Sequence, residues 1–207
     1  MNDQPQRNMN IRPKYKILWL MLIITSGLNV GCASTGQVMS PNDSASKHYW
    51  QISVTRTTVF SGDIESVFQG ITPENILPQV LTGYGPIPAV SGTTGHEGDW
   101  GKPGAFRIVQ LTDGTSAKEQ LTHFDEPSHF AYRVWDFDNK LFQELADGGA
   151  RGEWKFEQVG DGTAVQWTYS FYTSSRLATI PLSFMAKVFW RGYMDVCLNN
   201  YHEILDA

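Results

Sequence analysis

Alternation of aromatic and polar residues over positions 163–172 is the feature that most restricts the fold of this chain. Four side chains share one face of such a strand: Val165, Trp167, Tyr169 and Phe171. The segment 152–159 alternates in the same way and is separated from the first by Gly160-Asp161-Gly162. Because side chains alternate across a strand, the two segments predict an antiparallel hairpin with one aromatic face and one polar face.

A second hairpin is predicted upstream, where two strand-like segments, 105–111 and 116–124, flank the turn dipeptide Asp113-Gly114. Further strands are predicted over 50–60 and 129–137, with a polar loop after the latter. The glycine-rich stretch 83–104 predicts a loop with one short strand near 89–94. Two short helices are expected after the first strand, at 64–70 and from Thr72-Pro73-Glu74 onward.

A long helix is predicted from Pro181 to Leu205, because apolar residues recur there at spacings of three and four. The residues of this apolar stripe are Leu182, Met185, Ala186, Phe189, Tyr193, Val196, Cys197 and Ile204. Such a helix must cover an apolar surface, and the aromatic sheet face is the expected partner. The predicted class is α+β: a curved antiparallel sheet wrapped around a long C-terminal helix.

The first 31 residues are predicted to be a signal peptide, because basic residues precede a short apolar run, 17–24. That run is too short to span a bilayer. The segment ends in Gly31-Cys32, which resembles the lipobox of bacterial lipoproteins, although Asn29 stands where that motif usually has an aliphatic residue. The resemblance implies acylation of Cys32 and a lipidated tether over 32–48. The alternative is an ordinary signal peptide that is cleaved elsewhere.

The charge balance excludes an electrostatically driven nucleic-acid binder, since 16 Lys and Arg stand against 21 Asp and Glu. Cleavage before Cys32 would remove four basic residues and one acidic residue and leave the mature chain more acidic still. The second cysteine, Cys197, lies on the apolar helix stripe, which predicts a buried free thiol. The five histidines show no metal-binding spacing, so neither a metal nor a cofactor is expected.

The order of these motifs resembles the START-like (SRPBCC, polyketide cyclase/dehydrase) superfamily over about residues 50–206. The matching segments are Gly104-Ala-Phe-Arg107, Leu111-Thr-Asp-Gly114, Glu119, Phe130-Ala-Tyr132, Gly152-Glu-Trp-Lys-Phe156, Gly160-Asp-Gly-Thr163 and Val165-Gln-Trp167. The resemblance implies a helix-grip domain over 49–207, with a cavity between the sheet and the C-terminal helix that holds apolar molecules.

The predicted ligand-binding residues come from the sheet face, the family-typical Arg position and the helix stripe. They are Arg107, Phe130, Tyr132, Trp154, Phe156, Trp167, Tyr169, Phe171, Met185 and Phe189. Acid–base candidates are Glu119, Tyr132 and His123. Arg107 and Glu119 face the same side of the sheet if the Asp113-Gly114 turn carries a one-residue bulge, and opposite sides with a plain two-residue turn.

Three functions remain open at this point. The first is a membrane-tethered, monomeric binding protein for a hydrophobic small molecule, either a lipid or a polyketide-like compound. The second is an enzyme of the cyclase or dehydrase kind, and the third is a protein-interaction module of the cell envelope. Within the lipoprotein resemblance, Ala33 after Cys32 favours the periplasmic side of the outer membrane over inner-membrane retention in a two-membrane bacterium.

Overall fold

The computed structural model describes residues 47–206, so the predicted signal peptide, Cys32 and almost all of the tether lie outside the described residues. Strands and helices follow one another in the order β1 (Trp50–Ser61), α1 (Ile64–Ile71), α2 (Leu77–Val80), β2 (Val90–Glu97), β3 (Phe106–Leu111), β4 (Ser116–Asp125), β5 (His129–Trp135), α3 (Lys140–Leu145), β6 (Ala150–Val159), β7 (Gly162–Thr173), α4 (Thr179–Phe184), a π-helical segment (Met185–Trp190) and α5 (Arg191–Leu205).

The seven strands form one antiparallel sheet in the order β1-β7-β6-β5-β4-β3-β2. Strand β1 pairs with β7 along its whole length, from Trp50 opposite Thr173 to Ser61 opposite Gly162. Register shifts interrupt the ladders within β2 and within β4, where Thr122 is the extra residue. Bulges of this kind bend a strand and increase its twist. The predicted helix-grip architecture is confirmed.

The C-terminal helix is continuous from Thr179 to Leu205, but its middle, Met185–Trp190, is π-helical. A π-helical turn holds more residues than an α-helical turn. The period read from the sequence therefore slips within this segment. Near the end of the helix, Ile204 of the predicted apolar stripe is exposed. Within the described residues, no helix combines the length and the apolar character needed to cross a membrane.

Helix α1 closes one end of the sheet with three buried residues, Val67, Phe68 and Ile71. The Phe68 ring packs edge-on against Phe156 at a centroid distance of 5.0 Å. Asp63 is the N-cap of this helix, and its side chain accepts a hydrogen bond from the backbone N–H of Ser66.

The second short helix begins at Leu77, so its predicted start at Thr72 is wrong. Residues 73–76 form a turn in which the Ile76 N–H donates to Pro73 O. Pro78, instead of Pro73, occupies the first turn of the helix.

Two predicted loops contain regular structure. The polar loop after β5 includes α3, because Asn139 Oδ1 caps the Leu141 N–H at 3.0 Å. Strand β2 extends to Glu97, beyond the predicted short strand. The predicted extension of β5 to residue 137 does not occur, since Asp136 takes a left-handed conformation with φ of 55°.

Candidate functional site

A small cavity of about 50 Å³ lies between the sheet, the C-terminal helix and the segment that joins β1 to β2. We call it the sheet–helix cavity. Its lining combines aromatic rings, aliphatic side chains and one ion pair. The lining residues are Ile71, Thr72, Pro73, Ile76, Leu77, Val80, Leu81, Trp100, Arg107, Glu119, Phe124, Phe130, Tyr132, Trp154, Trp167, Cys197 and Tyr201.

Arg107 and Glu119 form a buried ion pair on the cavity wall. Arg107 Nε donates to Glu119 Oε1 at 2.7 Å, and Arg107 Nη2 lies 2.6 Å from the same oxygen. The two side chains are only 4% and 8% exposed. The charges therefore lie largely out of reach of solvent, where each depends on the other for its stability.

The turn between β3 and β4 explains why these two residues meet. The loop has three residues, Thr112–Gly114, and is closed by the Leu111 N–H donating to Thr115 O. Gly114 takes a φ of 85°, the left-handed conformation that a three-residue hairpin loop requires at this position. The register that follows pairs Arg107 directly with Glu119. Of the two alternatives left open by the sequence, the protein has the one in which both residues face the cavity.

Two further contacts hold the Arg107 guanidinium in place. The Trp100 ring lies against it, with Arg107 Cζ 3.6 Å from the ring centroid. Arg107 Nη1 donates to the backbone carbonyl of Glu74 at 2.8 Å. A cation in contact with an aromatic face gains electrostatic stabilisation, more so where water is excluded.

Tyr132 brings a hydroxyl group into the aromatic part of the cavity. Burial raises the pKa of this hydroxyl far above its usual value, and the charge of Glu119 raises the pKa further. The indoles of Trp154 and Trp167 partly oppose this rise in pKa. Tyr132 therefore keeps its proton at neutral pH and has an O–H group that can donate a hydrogen bond.

Trp167 Nε1 is buried and has no hydrogen-bond partner among the described residues. The Trp167 ring stacks on the ring of Trp154 at 4.5 Å, so its position is fixed. A buried indole N–H normally has an acceptor, because an unmade hydrogen bond at a buried donor costs about 1–3 kcal/mol. This donor is therefore free to bond to an acceptor atom of a molecule in the cavity.

The predicted site residues divide into two groups. Arg107, Phe130, Tyr132, Trp154, Trp167 and the acid–base candidate Glu119 line the cavity together. The others named in the sequence analysis pack elsewhere. Phe156, Tyr169, Phe171 and Met185 are buried in the hydrophobic core outside the cavity lining.

Phe189 lies away from the sheet face because of the π-helical segment. Its ring packs against the loop at Gly85 and edge-on against Phe184. The next residue, Trp190, packs instead on Tyr169 and Phe171, at centroid distances of 4.4 and 5.1 Å. The α-helical period places Phe189 towards the sheet face, whereas in the protein Trp190 has this position.

His123 lies on the outer face of the sheet, where it is exposed and stacks beside His129 at 4.3 Å. The bulge at Thr122 shifts the alternation, so Leu121 and Phe124 point inward and His123 points outward. On the adjacent strand β6, Glu153 Oε1 lies 3.0 Å from His129 Nε2. No cluster of metal-binding side chains occurs within residues 47–206.

Sequence reasoning missed Trp100, Tyr201 and the lining residues of the α1–α2 segment. Tyr201 follows Cys197 by four residues, so a helical period centred on Cys197 would have found it. Trp100 carries no periodic signal because it stands in an irregular loop. The predicted buried free thiol of Cys197 is confirmed, and burial raises the pKa of that thiol well above its usual value.

Three side chains hold residues 71–82 over the cavity. Tyr201 donates its hydroxyl proton to Ile71 O at 3.0 Å, and Arg107 contacts Glu74 O as described. Asn200 Nδ2 donates to Val80 O at 2.9 Å and to Thr82 Oγ1 at 3.0 Å. These hydrogen bonds attach residues 71–82, which we call the cover segment, to the sheet and to α5.

A family model described as polyketide cyclase / dehydrase and lipid transport matches residues 51–202. The chain belongs to this family. A search of curated proteins finds no match. The matched residues of this family member include every residue that lines the cavity.

Solved structures share the fold of this polyketide cyclase/dehydrase family member. Norcoclaurine synthase from Thalictrum flavum, in complex with dopamine and hydroxybenzaldehyde, aligns with a TM-score of 0.58 at 11% identity over 83% of this chain and 96% of that chain. Ginseng major latex-like protein 151 from Panax ginseng aligns with a TM-score of 0.56 at 18% identity over 75% and 97%. XoxI from Bacillus cereus aligns with a TM-score of 0.52 at 14% identity over 74% and 95%. At these identities the likeness establishes the fold.

Proposed function

We propose that this protein binds a small, mainly apolar molecule with one oxygen acceptor in the sheet–helix cavity. The observation that carries the proposal is the buried Trp167 N–H, which has no partner among the described residues and lies in the cavity wall. The hydroxyl of Tyr132 supplies a second donor nearby. A carbonyl or ether oxygen would accept from these donors while its apolar body contacts Phe130 and Trp154.

The size of the cavity limits the bound molecule and the way it enters. Typical small-molecule sites measure roughly 300–1,000 Å³, whereas this cavity measures about 50 Å³. The described conformation is therefore a closed one, with room for a few water molecules. Binding of a larger molecule requires the cover segment to move outward. Its helix α2 has only four residues and is attached to α5 through the side chain of Asn200.

The family supports this use of the cavity, because its description includes lipid transport. One of the structural neighbours, norcoclaurine synthase, is recorded in complex with two small aromatic molecules, dopamine and hydroxybenzaldehyde. An apolar ligand also agrees with the lining, in which aromatic and aliphatic side chains outnumber charged ones.

Binding is favoured over cyclase or dehydrase chemistry by the state of Glu119. Its Oε1 is already engaged by two nitrogens of Arg107, and Tyr132 holds its proton too tightly to act as a base at neutral pH. His123, the third acid–base candidate, is outside the cavity. We therefore propose a carrier or sensor role without turnover.

The binding test uses prodan, an apolar fluorophore with a single carbonyl acceptor. We expect prodan to bind the full chain saturably. Its fluorescence emission should indicate that its carbonyl is hydrogen-bonded in an apolar site. Trp167→Phe keeps an aromatic ring, although a smaller one, and removes the N–H donor, so binding should weaken by at least about tenfold, the loss of one hydrogen bond of about 1.4 kcal/mol. Trp135→Phe, on the outer face of the sheet, is the matched control. No binding, or equal binding by both variants, would refute the proposal.

We also propose that the protein is held at the cell envelope by an acylated Cys32, with the domain on the periplasmic side of the outer membrane. The support is the basic and apolar leader followed by Gly31-Cys32. Metabolic labelling with a clickable fatty acid should modify the wild-type chain and leave Cys32→Ser unmodified. The lipid anchor would be contradicted if the wild-type chain were not labelled and if it and Cys32→Ser were recovered equally in the membrane fraction.

A further inference from the structure

Four apolar side chains, three in the first half of the C-terminal helix and one in the turn before it, lie on the surface instead of in the core. They are Leu177, Ile180, Phe184 and Val188, and their exposed fractions range from 45% to 84%. Ile180, Phe184 and Val188 follow one another at four-residue spacing along one side of the helix, with Leu177 in the preceding turn, and we call this surface the apolar ridge. Scattered single apolar residues are ordinary on a protein surface, whereas a contiguous row of large ones marks a contact site.

The ridge lies in a basic island on an acidic domain. Residues 47–206 contain 12 Lys and Arg against 19 Asp and Glu, yet the stretch between Asp161 and Asp195 holds no acidic residue. Its three basic residues, Arg176, Lys187 and Arg191, are exposed. None of the three takes part in an ion pair found within residues 47–206.

The basic side chains flank the ridge. Arg176 precedes Leu177, while Lys187 and Arg191 follow Phe184 at positions i+3 and i+7 of the same helix. Apolar side chains in the middle with Lys and Arg at the margins are the arrangement of helices that lie in the interface of a bilayer with anionic headgroups.

A second copy of the chain fits this surface less well. A two-fold dimer through the ridge would place the same patch on both subunits, so the three cations of one copy would approach those of the other. Anionic headgroups neutralise the same cations while the acyl region accepts the apolar side chains. The charge pattern therefore favours a lipid surface.

We propose that the apolar ridge inserts into the interface of an anionic lipid bilayer and orients the domain on the membrane. Ile180 and Phe184 enter the acyl boundary, and Arg176, Lys187 and Arg191 contact the phosphate groups. The proposal is independent of the ligand in the sheet–helix cavity, because none of the ridge residues lines it. It also concerns a different part of the chain from Cys32.

The test measures which face of the full chain touches lipid. An environment-sensitive bimane label is attached at Ile180→Cys in a Cys32→Ser background, where the buried Cys197 does not react. The matched control carries the label at Gln166→Cys, on the exposed outer face of β7. Vesicles contain equal parts of phosphatidylglycerol and phosphatidylcholine, with brominated acyl chains as the quencher.

We expect emission from position 180 to shift to the blue and to be quenched by brominated lipid, while emission from position 166 stays unchanged. Pure phosphatidylcholine vesicles, or Arg176→Gln with Lys187→Gln and Arg191→Gln, should reduce the quenching. Equal quenching at both positions would overturn the proposal, as would quenching that ignores lipid charge. If the label at position 180 shifts to the blue without vesicles, and sedimentation shows a dimer under the same conditions, the ridge would be assigned to contact with a second copy instead.

Discussion

Tyr132 lies directly over Gly152, its neighbour on the adjacent strand, and a Cβ atom at position 152 would lie 2.1 Å from Tyr132 Cζ. The absence of a side chain at 152 therefore creates the space in which the Tyr132 ring enters the cavity. Both residues belong to motifs that define the family resemblance, and this contact gives a physical reason for the glycine.

Gly152→Ala should displace the Tyr132 ring and destabilise the protein by about 1–3 kcal/mol, since the buried ring has little room to move. Prodan binding should weaken as well, because the hydroxyl leaves its position. Urea unfolding followed by circular dichroism measures the first effect. Gly92→Ala is the control: it also lies in a strand, and an added Cβ atom there meets nothing within 4 Å. Equal stability of the two variants would contradict the prediction.

Removing one member of the buried ion pair should be more costly than removing both. Glu119→Leu leaves the Arg107 charge unpaired in the core and should lower the free energy of unfolding by about 3–5 kcal/mol. Adding Arg107→Met should restore much of this loss, as measured by urea unfolding. Lys102→Ala, in the exposed pair with Asp99, should change stability by less than about 1 kcal/mol. A double variant no more stable than Glu119→Leu would show that the unpaired Arg107 charge is not the cause of the loss.

Asn200→Ala should loosen the cover segment without unfolding the domain. The substitution removes both hydrogen bonds from Asn200 to residues 80 and 82, at a cost of about 1–2 kcal/mol. Amide hydrogens of α2 should exchange faster, and prodan should associate faster. Asn199→Ala, an exposed neighbour on the same helix, is the control and should match the wild type. Unchanged exchange in α2 would argue against movement of this segment as the route into the cavity.

Alkaline pH should unfold the protein together with the ionisation of its buried tyrosines. Burial raises the pKa of Tyr132 and of Tyr169 well above the usual value in the folded state. A group with a raised folded pKa contributes stability that is present below its unfolded pKa of about 10 and is lost as the pH rises above it. As the pH is raised, the tyrosinate absorbance of these residues should therefore increase over the same pH range in which circular dichroism reports unfolding. Tyr132→Phe should move the transition to higher pH, and a shift to lower pH would contradict this account.

Local patterns predicted the hairpins β3–β4 and β6–β7 well because each of these strand pairs is joined by a recognisable turn. The alternation over 152–159 and 163–172 correctly identified the inner aromatic face. The turn at Asp113-Gly114 predicted a hairpin but left its register open, since two-residue and three-residue loops use the same dipeptide. Only the left-handed Gly114 and the closing hydrogen bond at Thr115 show that Arg107 faces Glu119.

Two predicted site residues, His123 and Phe189, lie outside the cavity lining because of insertions into regular periods. The bulge at Thr122 turns His123 outward, and the π-helical segment exchanges Phe189 for Trp190. The bulge adds one residue to a strand, and the π-helical segment adds a fraction of a turn to a helix. Neither insertion is marked by a characteristic residue, so the alternation or helical period read from the sequence does not reveal it. The cover segment was missed for another reason: its attachment depends on side chains from β3 and α5 that lie far away in the chain.

The stacked indoles of Trp154 and Trp167 make the cavity wall visible to spectroscopy without any label. Their rings lie 4.5 Å apart and within 16° of parallel. Two identical chromophores held so near each other couple their electronic transitions, and the coupling produces a paired positive and negative band in far-ultraviolet circular dichroism. The band depends on the distance and angle between the rings, so a molecule that enters beside Trp167 would alter the spectrum even when it absorbs no light itself.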